Sequence, residues 1–250
     1  MTLLVVFLLY ATALSVALGR RGIRTTPVHA QPAAVAGADP SRLLIVGATG
    51  GTGRQLVAQA LERGHTVTAL VRDPAALRLD HPRLRVLQGN VLDHASVVAA
   101  VRGQDAVLSA LGHKQFFRPT RILSEGTRNV LSAMAAHGVR RFVCETALGI
   151  GDSAGRMGLY YTFLVIPVIV PFYFWDKTRQ ERLIAESGLD WTVVRPSALT
   201  NGGRRGRYRH GPGTGSFVWT KRISRSDVAE FMLNQITDAT YLKAAVSLSW

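Results

Sequence analysis

The sequence has little cysteine and few acidic residues. Its single cysteine, Cys144, lies in an apolar candidate strand, so no internal disulfide can form, and such a thiol is typically a core residue rather than a reactive group. Sixteen Asp and Glu stand against thirty Lys and Arg, a formal net charge of +14. This excess favours anionic partners such as phosphorylated cofactors, acidic lipids or nucleic acid. Because no nucleic-acid-binding motif is present, we predict no nucleic-acid partner, and no metal site either.

The first 18 residues contain no charged side chain and consist mainly of Leu, Val and Ala. About 18 apolar residues are the lower limit for a helix that crosses a bilayer. Arg20, Arg21 and Arg24 follow the run and nothing basic precedes it. This asymmetry favours a membrane anchor at residues 1–19, with the domain facing the cytoplasm.

Two alternatives to the anchor stay open. One is a cleaved signal, for which Val28-His29-Ala30 resembles a peptidase site although it lies far from the apolar run. The other is a misassigned start or an accidental apolar tail, which would leave a cytoplasmic protein. Residues 20–40 are rich in Ala and Pro toward their end, so we expect a flexible linker before a domain at residues 41–250.

A glycine-rich turn follows the first candidate strand of that domain. The chain reads Leu43-Leu44-Ile45-Val46-Gly47-Ala48-Thr49-Gly50-Gly51-Thr52-Gly53. Gly47 lets the chain turn, Gly50 lets the backbone approach phosphate oxygens, and Gly53 lets helix and strand pack closely. Backbone N–H groups and the helix dipole then favour a pyrophosphate. We therefore predict nucleotide binding by Gly47, Thr49, Gly50, Gly51, Thr52 and Gly53; a purely structural turn is the alternative.

Strand and helix patterns alternate through the rest of the chain. Candidate strands lie at residues 66–71, 84–87, 106–111, 141–145, 191–194 and 244–248, and candidate helices at 54–63, 95–102, 120–137, 176–187 and 226–236, the last capped by Ser226 or Asp227. This rhythm predicts an α/β fold: a Rossmann-like doubly wound parallel sheet, preceded by the N-terminal apolar helix. Ligands are expected at the carboxyl ends of the strands.

The residues after the second strand indicate which cofactor is bound. An NAD-specific site usually has an acidic residue there, whereas this chain reads Val71-Arg72-Asp73. Arg72 can pair with a 2′-phosphate through its planar guanidinium, and Arg54 could assist. Both favour NADP(H) as the cofactor; the alternative is that each is a solvated surface arginine.

The ends of the third and fourth strands complete the predicted cofactor site. Asn90 and Val91 follow the third strand, where the adenine would lie. Leu111 and Gly112 follow the fourth, where backbone could approach the nicotinamide half. We expect His113, the next residue, to be an exposed loop histidine rather than a catalytic acid.

Several of these segments, with others downstream, resemble a known family. The chain is similar to the atypical short-chain dehydrogenase/reductases of the NAD(P)H-binding, NmrA-like group, and within it to the biliverdin-IXβ and flavin reductases. The matching residues are 47–53, 66–73, 103–107, 111–112, 124–130, 135–139, 186–189 and 223–224, of which Ser124-Glu125-Gly126-Thr127-Arg128-Asn129-Val130 is a far more specific match than the glycine loop. The resemblance runs from about residue 42 to the end. It implies a Rossmann-like fold, bound NADPH and reduction of a flat conjugated substrate.

Two positions depart from the biliverdin and flavin reductases. Those enzymes have a serine shortly after the fifth strand, where this chain reads Glu145-Thr146-Ala147. They have a histidine after the sixth, where this chain reads Arg195-Pro196-Ser197-Ala198. The resemblance therefore does not carry biliverdin or flavin specificity to this chain.

Tyr173 and Lys177 are the candidate catalytic pair. Four residues apart, they lie on one face if the segment is helical. The resemblance to short-chain dehydrogenases implies that the lysine holds the nicotinamide ribose and that the tyrosine exchanges a proton with substrate. Thr146 could supply the usual hydroxyl beside the substrate carbonyl. In the NmrA-like group a lysine often occupies this position without the tyrosine, and the alternative is that both residues stabilise a helix start.

Two further segments have open interpretations. Residues 159–172 are apolar but short and interrupted by Pro167 and Pro171, so they form a buried connector, a lid over an apolar substrate, or a surface that enters the membrane. Residues 202–211 form a basic, glycine-rich loop: a solvated loop, a site for an acidic substrate, or a contact with anionic lipid headgroups.

Together these observations predict a membrane-tethered NADP(H)-dependent oxidoreductase with an unidentified small-molecule substrate. A non-enzymatic NADPH-binding sensor or assembly scaffold is the main alternative, because two substrate-side groups of the resembled enzymes are missing. A peripheral lipid-binding protein is a third.

Overall fold

A computed structural model describes residues 2–23 and 41–250. The described helices are α1 (Thr2–Arg21), α2 (Gly51–Glu62), α3 (His94–Val101), α4 (Ile122–Ala136), α5 (Pro171–Ala185), α6 (Arg225–Asn234) and a π-helix (Tyr161–Ile169). The described strands are β1 (Arg42–Val46), β2 (Thr66–Val71), β3 (Leu84–Gln88), β4 (Ala106–Ser109), β5 (Arg141–Glu145), β6 (Asp190–Pro196), β7 (Ala198–Thr200), β8 (Arg209–His210), β9 (Arg222–Ser224) and β10 (Ala244–Ser249). Arg24, the Val28-His29-Ala30 site and residues 25–40 of the predicted linker lie outside the described residues.

The main sheet has the order β3-β2-β1-β4-β5-β6-β10-β8, and all of its pairs are parallel except β10 with β8. In β1, Val46 is in register with Leu70 of β2 and Ser109 of β4, so these strands end at one edge. The chain order reverses between β1 and β4, which is where such sheets bind ligands. The predicted α/β, Rossmann-like doubly wound fold is confirmed.

The central strands of the sheet are buried on both faces, as is typical of parallel sheets. On one face α2 and α6 cover it through residues such as Leu56 and Met232. On the other, α3, α4 and α5 cover it through residues such as Val97, Met134 and Ile184. Because helices cover both faces of these central strands, the strands contain apolar residues at successive positions rather than at alternate ones.

The N-terminal helix α1 packs against the domain with its C-terminal half. Leu18 is buried in a third cluster, named here the α1 cluster, formed by Leu18, Leu148, Ile150, Met157, Ile166 and Phe174. Gly22 meets Gly151 so closely that a side chain at Gly22 would collide with it. Arg21 lies 4.5 Å from the centre of the Trp175 ring, and its carbonyl accepts a hydrogen bond from Arg182. Over Leu3–Arg21 the helix is long and apolar enough to cross a membrane, a property that signal sequences share.

Three local elements differ from the sequence expectations. Residues 161–169 form a π-helix that packs beside α1, and α5 begins at Pro171 rather than at residue 176, because proline is well tolerated in a first turn. The last helix is capped by Ser224, whose hydroxyl accepts from the N–H of Asp227, and not by Ser226 or Asp227.

Candidate functional site

The glycine turn between β1 and α2 is shaped for close approach of a ligand. Gly47 has a φ of +83°, which disfavours other residues, and a side chain there would collide with the Ala110 carbonyl. A side chain at Gly53 would collide with the Gly47 carbonyl. Within the described chain no side chain caps α2, whose N-cap is Gly50, so its first N–H groups point out unpaired by side chains. This cradle fits a nucleotide diphosphate.

A cavity of about 750 Å³ opens beside this turn, at the carboxyl ends of β1, β2, β4 and β5. It brings together most of the predicted site residues, although they come from six separate parts of the chain. Those lining it are Gly47, Thr49, Gly50, Gly51, Thr52, Arg72, Asn90, Val91, Leu111, Gly112, Thr146, Tyr173 and Lys177. We refer to it as the cleft.

Two predicted cofactor residues, Gly53 and Arg54, do not line the cleft. Gly53 lies beneath it, where its missing side chain allows α2 to pack on the β1 turn. The guanidinium of Arg54 donates to the carbonyls of Thr49 (3.0 Å) and Ala76 (2.8 Å). Arg54 therefore ties the glycine turn to the segment after β2, and its contribution to a 2′-phosphate stays a prediction.

Arg72 and Asn90 border the end of the cleft where the adenosine is predicted to lie, named here the adenosine end. Arg72 is exposed and lines the cleft, while the following Asp73 is occupied in capping a short 3₁₀ turn through the N–H of Ala75. Asn90 accepts from the N–H of Leu92 at 3.1 Å, which fixes the turn after β3. Arg72 therefore lines the cleft at this end, and Asp73 does not.

The other end of the cleft contains a buried lysine. Lys177, on α5, is 2% exposed, and its Nζ donates to the backbone carbonyl of Glu145 at 3.3 Å. The same Nζ lies 5.2 Å from the centre of the Tyr173 ring. Burial alone would lower the pKa of Lys177, but the nearby Tyr173 and Glu145 oxygens outweigh it and raise that pKa. Lys177 therefore remains a cation at neutral pH.

Glu145 is a site residue that the sequence reasoning missed. Its carboxylate lines the cleft, is 7% exposed, and accepts from the Thr52 hydroxyl at 3.0 Å. Burial raises the pKa of Glu145, and the charge of Lys177 opposes that rise. Glu145 therefore links the glycine turn to the Lys177 end of the cleft, where the catalytic residues are predicted. We call this end the chemistry end. The available signal was the place of Glu145 at the end of β5, beside the position where the resembled reductases have serine.

Thr146 is held by a buried chain of charged groups. Its hydroxyl donates to Glu181 at 2.7 Å, and Glu181 is paired with Arg195 at 2.7 Å. Arg195 is 0% exposed and also contacts Asp152 and the carbonyl of Ile23 at the end of α1. Because its proton is engaged by Glu181, the Thr146 hydroxyl has only acceptor positions left for a ligand.

Aromatic rings border the chemistry end. His113 and Tyr173 are in edge contact with centres 5.0 Å apart, and Phe116 lies 5.8 Å from Tyr173. His113 was expected to be an exposed loop residue; it is half-buried, lines the cleft and is hydrogen-bonded to the Thr120 hydroxyl. Burial lowers its pKa, so the ring is neutral near pH 7.

Arg225 is the second residue that sequence reasoning missed. It lies at the start of α6, and its side chain covers Gly51 so closely that a side chain there would collide with it. Its guanidinium donates to Asn201 at 2.7 Å and lines the cleft. Arg225 therefore places a cation beside the glycine turn, where the diphosphate is predicted. It lies about 170 residues further along the chain, and no local sequence pattern indicates it.

The basic loop at residues 202–211 lies elsewhere. Asp227 accepts from the N–H groups of Arg205 and Gly206, and the Arg205 guanidinium stacks 3.6 Å from the Trp250 ring centre. None of this loop is among the residues that line the cleft.

Comparison with known proteins identifies the family. The NAD(P)H-binding family matches residues 47–239. The chain belongs to this family. A nicotinamide nucleotide is therefore its cofactor, and the resemblance to atypical short-chain dehydrogenase/reductases of the NmrA-like group is confirmed.

The NAD(P)H-binding chain has both enzymes and proteins of uncharacterised role among its relatives. It is 31% identical over 168 residues to a chloroplastic protein of Arabidopsis thaliana described as uncharacterised, covering 64% of this chain and 60% of that one. It is 34% identical over 193 residues to the 3-diazoavenalumate denitrifying reductase of a Streptomyces species, covering 70% and 58%. The chain thus spans about three fifths of the length of these curated relatives.

A solved structure of similar fold is ChuY, an anaerobilin reductase from Escherichia coli O157:H7. The TM-score is 0.70 at 23% identity, covering 84% of this chain and 97% of that one. At this identity the likeness shows the fold.

Proposed function

We propose that this protein is an NADP(H)-dependent oxidoreductase that acts on an apolar or conjugated small molecule. The observation that carries the proposal is the cleft itself. It combines a glycine cradle, an arginine at the adenosine end and a buried lysine cation at the chemistry end. A nucleotide-binding scaffold needs the cradle, but it has no need of a desolvated lysine beside a tyrosine.

Each end of the cleft has a role in this proposal. The glycine turn and Arg225 bind the diphosphate, and Arg72 pairs with the 2′-phosphate that distinguishes NADP(H) from NAD(H). Lys177 donates to the ribose hydroxyls of the nicotinamide half. The bound nucleotide supplies a hydride.

Tyr173 is the proposed proton donor. Its hydroxyl lies 3.5 Å from the point where a side chain on Gly112 would begin, so it borders the cleft wall formed by the end of β4. The Lys177 cation, 5.2 Å from the centre of the Tyr173 ring, would stabilise negative charge that develops on the substrate at this end of the cleft. Thr146, with only acceptor positions left, would orient a substrate hydroxyl or amide rather than protonate a carbonyl.

The rim of the chemistry end supports an apolar or conjugated substrate. His113, Phe116 and Tyr173 form a ring cluster there, and Phe117 beside it is 76% exposed. Flat conjugated molecules stack on such edges. Relatives and fold neighbours described as reductases support the reaction class.

Membrane association through α1 is also part of this proposal. The helix is apolar over a membrane-spanning length and ends in Arg20 and Arg21. With the basic end retained in the cytoplasm, the domain would face the cytoplasm.

The test is nucleotide binding by the full chain and its Arg72→Ala variant, with NADPH and NADH compared. Losing a charge-assisted contact to phosphate should weaken NADPH binding about ten- to hundredfold and leave NADH binding unchanged. Arg102→Ala is the matched control, because Arg102 is an exposed arginine at the opposite edge of the sheet. Equal loss for both nucleotides would contradict the role of Arg72.

A second measurement separates the enzyme from a sensor. The NADPH complex is screened against carbonyl, flavin and quinone acceptors, with oxidation of NADPH as the readout. Oxidation that depends on Lys177 supports the proposal. Tight NADPH binding with no oxidation across the panel would favour the non-enzymatic sensor instead.

A further inference from the structure

Three segments outside the cleft expose large apolar side chains. On the outer side of α1, Leu3 and Leu9 are exposed. Tyr160 and Leu164 are exposed at the π-helix, and Phe217 and Trp219 in the loop before β9. We call these three exposed segments together the apolar face. Residues with this much apolar surface normally lie inside a protein or against another phase.

Direct hydrogen bonds join the three segments of the apolar face to one another. The Tyr10 hydroxyl of α1 donates to the Pro167 carbonyl of the π-helix at 3.3 Å. The N–H of Leu159, just before the π-helix, donates to the Val218 carbonyl at 3.2 Å. The loop before β9 is thus joined to the π-helix, and the π-helix to α1. If α1 enters a membrane, the two other segments are carried to the same boundary.

The charge pattern around the apolar face points to an anionic lipid bilayer. Residues 153–175 and 203–225 contain no Asp or Glu, and the exposed Lys221 and Arg222 closely follow Phe217-Val218-Trp219. Arg156 lies 4.8 Å from the centre of the Phe217 ring. Apolar and aromatic tips flanked by cations are the pattern of segments that rest at the headgroup boundary of anionic membranes. A protein partner would need a matching apolar and acidic surface, and a second copy of this chain has only 16 Asp and Glu against 30 Lys and Arg to provide one.

We propose that the apolar face, and not α1 alone, inserts into the headgroup and acyl boundary of an anionic phospholipid bilayer. The π-helix and residues 217–219 are then a second membrane-binding element, and the domain lies against the bilayer instead of hanging from a tether. Tyr173 packs against the α1 cluster beside the π-helix and also lines the cleft. The chemistry end of the cleft therefore lies close to the lipid.

The test places a fluorescent label on single introduced cysteines in the full chain, reconstituted into nanodiscs containing phosphatidylglycerol. Cys144 is 0% exposed and should stay unlabelled, which the unsubstituted chain checks. The variants are Leu164→Cys and Trp219→Cys. Leu79→Cys is the matched control, because Leu79 is 42% exposed, close to the 44% of Leu164, but lies in the segment between β2 and β3. A nitroxide on the lipid acyl chain serves as the quencher.

We expect the labels at positions 164 and 219 to be quenched at least about twofold more than the label at position 79. Replacing phosphatidylglycerol by phosphatidylcholine should weaken the quenching at position 219, because the basic flanks lose their counter-charge. Quenching at positions 164 and 219 no stronger than at position 79 would overturn the proposal, since the domain would then stand away from the bilayer. A change in the fluorescence of these labels that needs no nitroxide and grows with protein concentration would also overturn the proposal. It would indicate that a second copy of the chain covers the apolar face. NADPH binding by each variant reports its folding independently of the outcome.

Discussion

The two ends of the cleft are built in different ways. The end beside the glycine turn consists mainly of backbone, with the Arg225 side chain over Gly51: Gly47, Gly50 and Gly53 leave room, and the start of α2 presents N–H groups that no described side chain caps. The chemistry end is made of side chains, and Lys177 and Glu145 are buried there. Backbone cannot be altered by substitution without moving the chain, whereas side-chain charges can be changed one at a time.

This difference separates what is general from what is specific. A glycine cradle suits any nucleotide diphosphate, so it does not discriminate among substrates. Buried charges cost free energy to desolvate and are often no more stabilising than an apolar replacement. Among the described residues that line the cleft, the buried charges are Lys177 and Glu145 at this end, which agrees with the proposed reductase.

Of the substitutions that test this difference between the two ends, Lys177→Met should have the largest effect on stability. It leaves the Glu145 carboxylate buried without its neighbouring cation, so the free energy of unfolding should fall by about 3–5 kcal/mol at pH 7.5 in urea denaturation. The pKa of Glu145 is already raised by burial and would rise further without Lys177. Its protonated form is then favoured in the folded state, so the loss should be smaller near pH 4.5 and grow as the pH rises through the folded-state pKa.

The double variant Lys177→Met with Glu145→Gln is the control for that measurement. Removing the second charge should recover about 0.5–3 kcal/mol of the loss, since the two sites are in contact. If the losses in the free energy of unfolding simply add, Lys177 and Glu145 do not interact. The proposed side-chain network at the chemistry end would then be wrong.

Gly53→Ala tests the backbone end. The added methyl group would meet the Gly47 carbonyl, so α2 must move away from β1. We expect a loss of about 1–3 kcal/mol in the free energy of unfolding, and a loss of both NADPH and NADH binding in titrations, unlike Arg72→Ala.

Gly203→Ala is the matched control for Gly53→Ala. Gly203 is exposed, and a side chain there meets nothing within 4 Å. It should change neither stability nor binding. If Gly53→Ala bound nucleotide as well as the unsubstituted chain, close packing of α2 on β1 would not be needed for the cradle.

Local patterns predicted the sheet and the cradle because their signals lie within a few residues. Glycine spacing, strand–helix alternation and Arg72 after β2 could all be found in the sequence. Arg225 over Gly51 and Glu145 beside Lys177 could not, because each joins residues that are far apart along the chain. The same holds for α1: its apolarity predicted a membrane helix, but not that Leu18 would be buried in the α1 cluster.

Asp227→Asn should have the smallest effect, because it acts on a loop outside the cleft. The Asp227 carboxylate accepts from the N–H groups of Arg205 and Gly206 and from the Trp250 indole at 2.8 Å. Burial alone would raise its pKa, but these donors outweigh burial and lower it. Because the pKa of Asp227 is lower in the folded state, its ionised carboxylate stabilises the fold at pH values above the unfolded-state pKa. This stabilisation is lost as the pH falls through the folded-state pKa.

The Asn variant should therefore lose about 1.5 kcal/mol at pH 7 and progressively less toward pH 3, measured by urea denaturation across that range. Asp80→Asn is the control, because Asp80 is exposed. Its free energy of unfolding should equal that of the unsubstituted chain at every pH in this range. Because residues 202–211 do not line the cleft, NADPH affinity should not change in either variant. A fall in NADPH affinity with Asp227→Asn alone would mean that the loop contributes to the diphosphate end, and the division of the cleft into a backbone end and a side-chain end would need a third part.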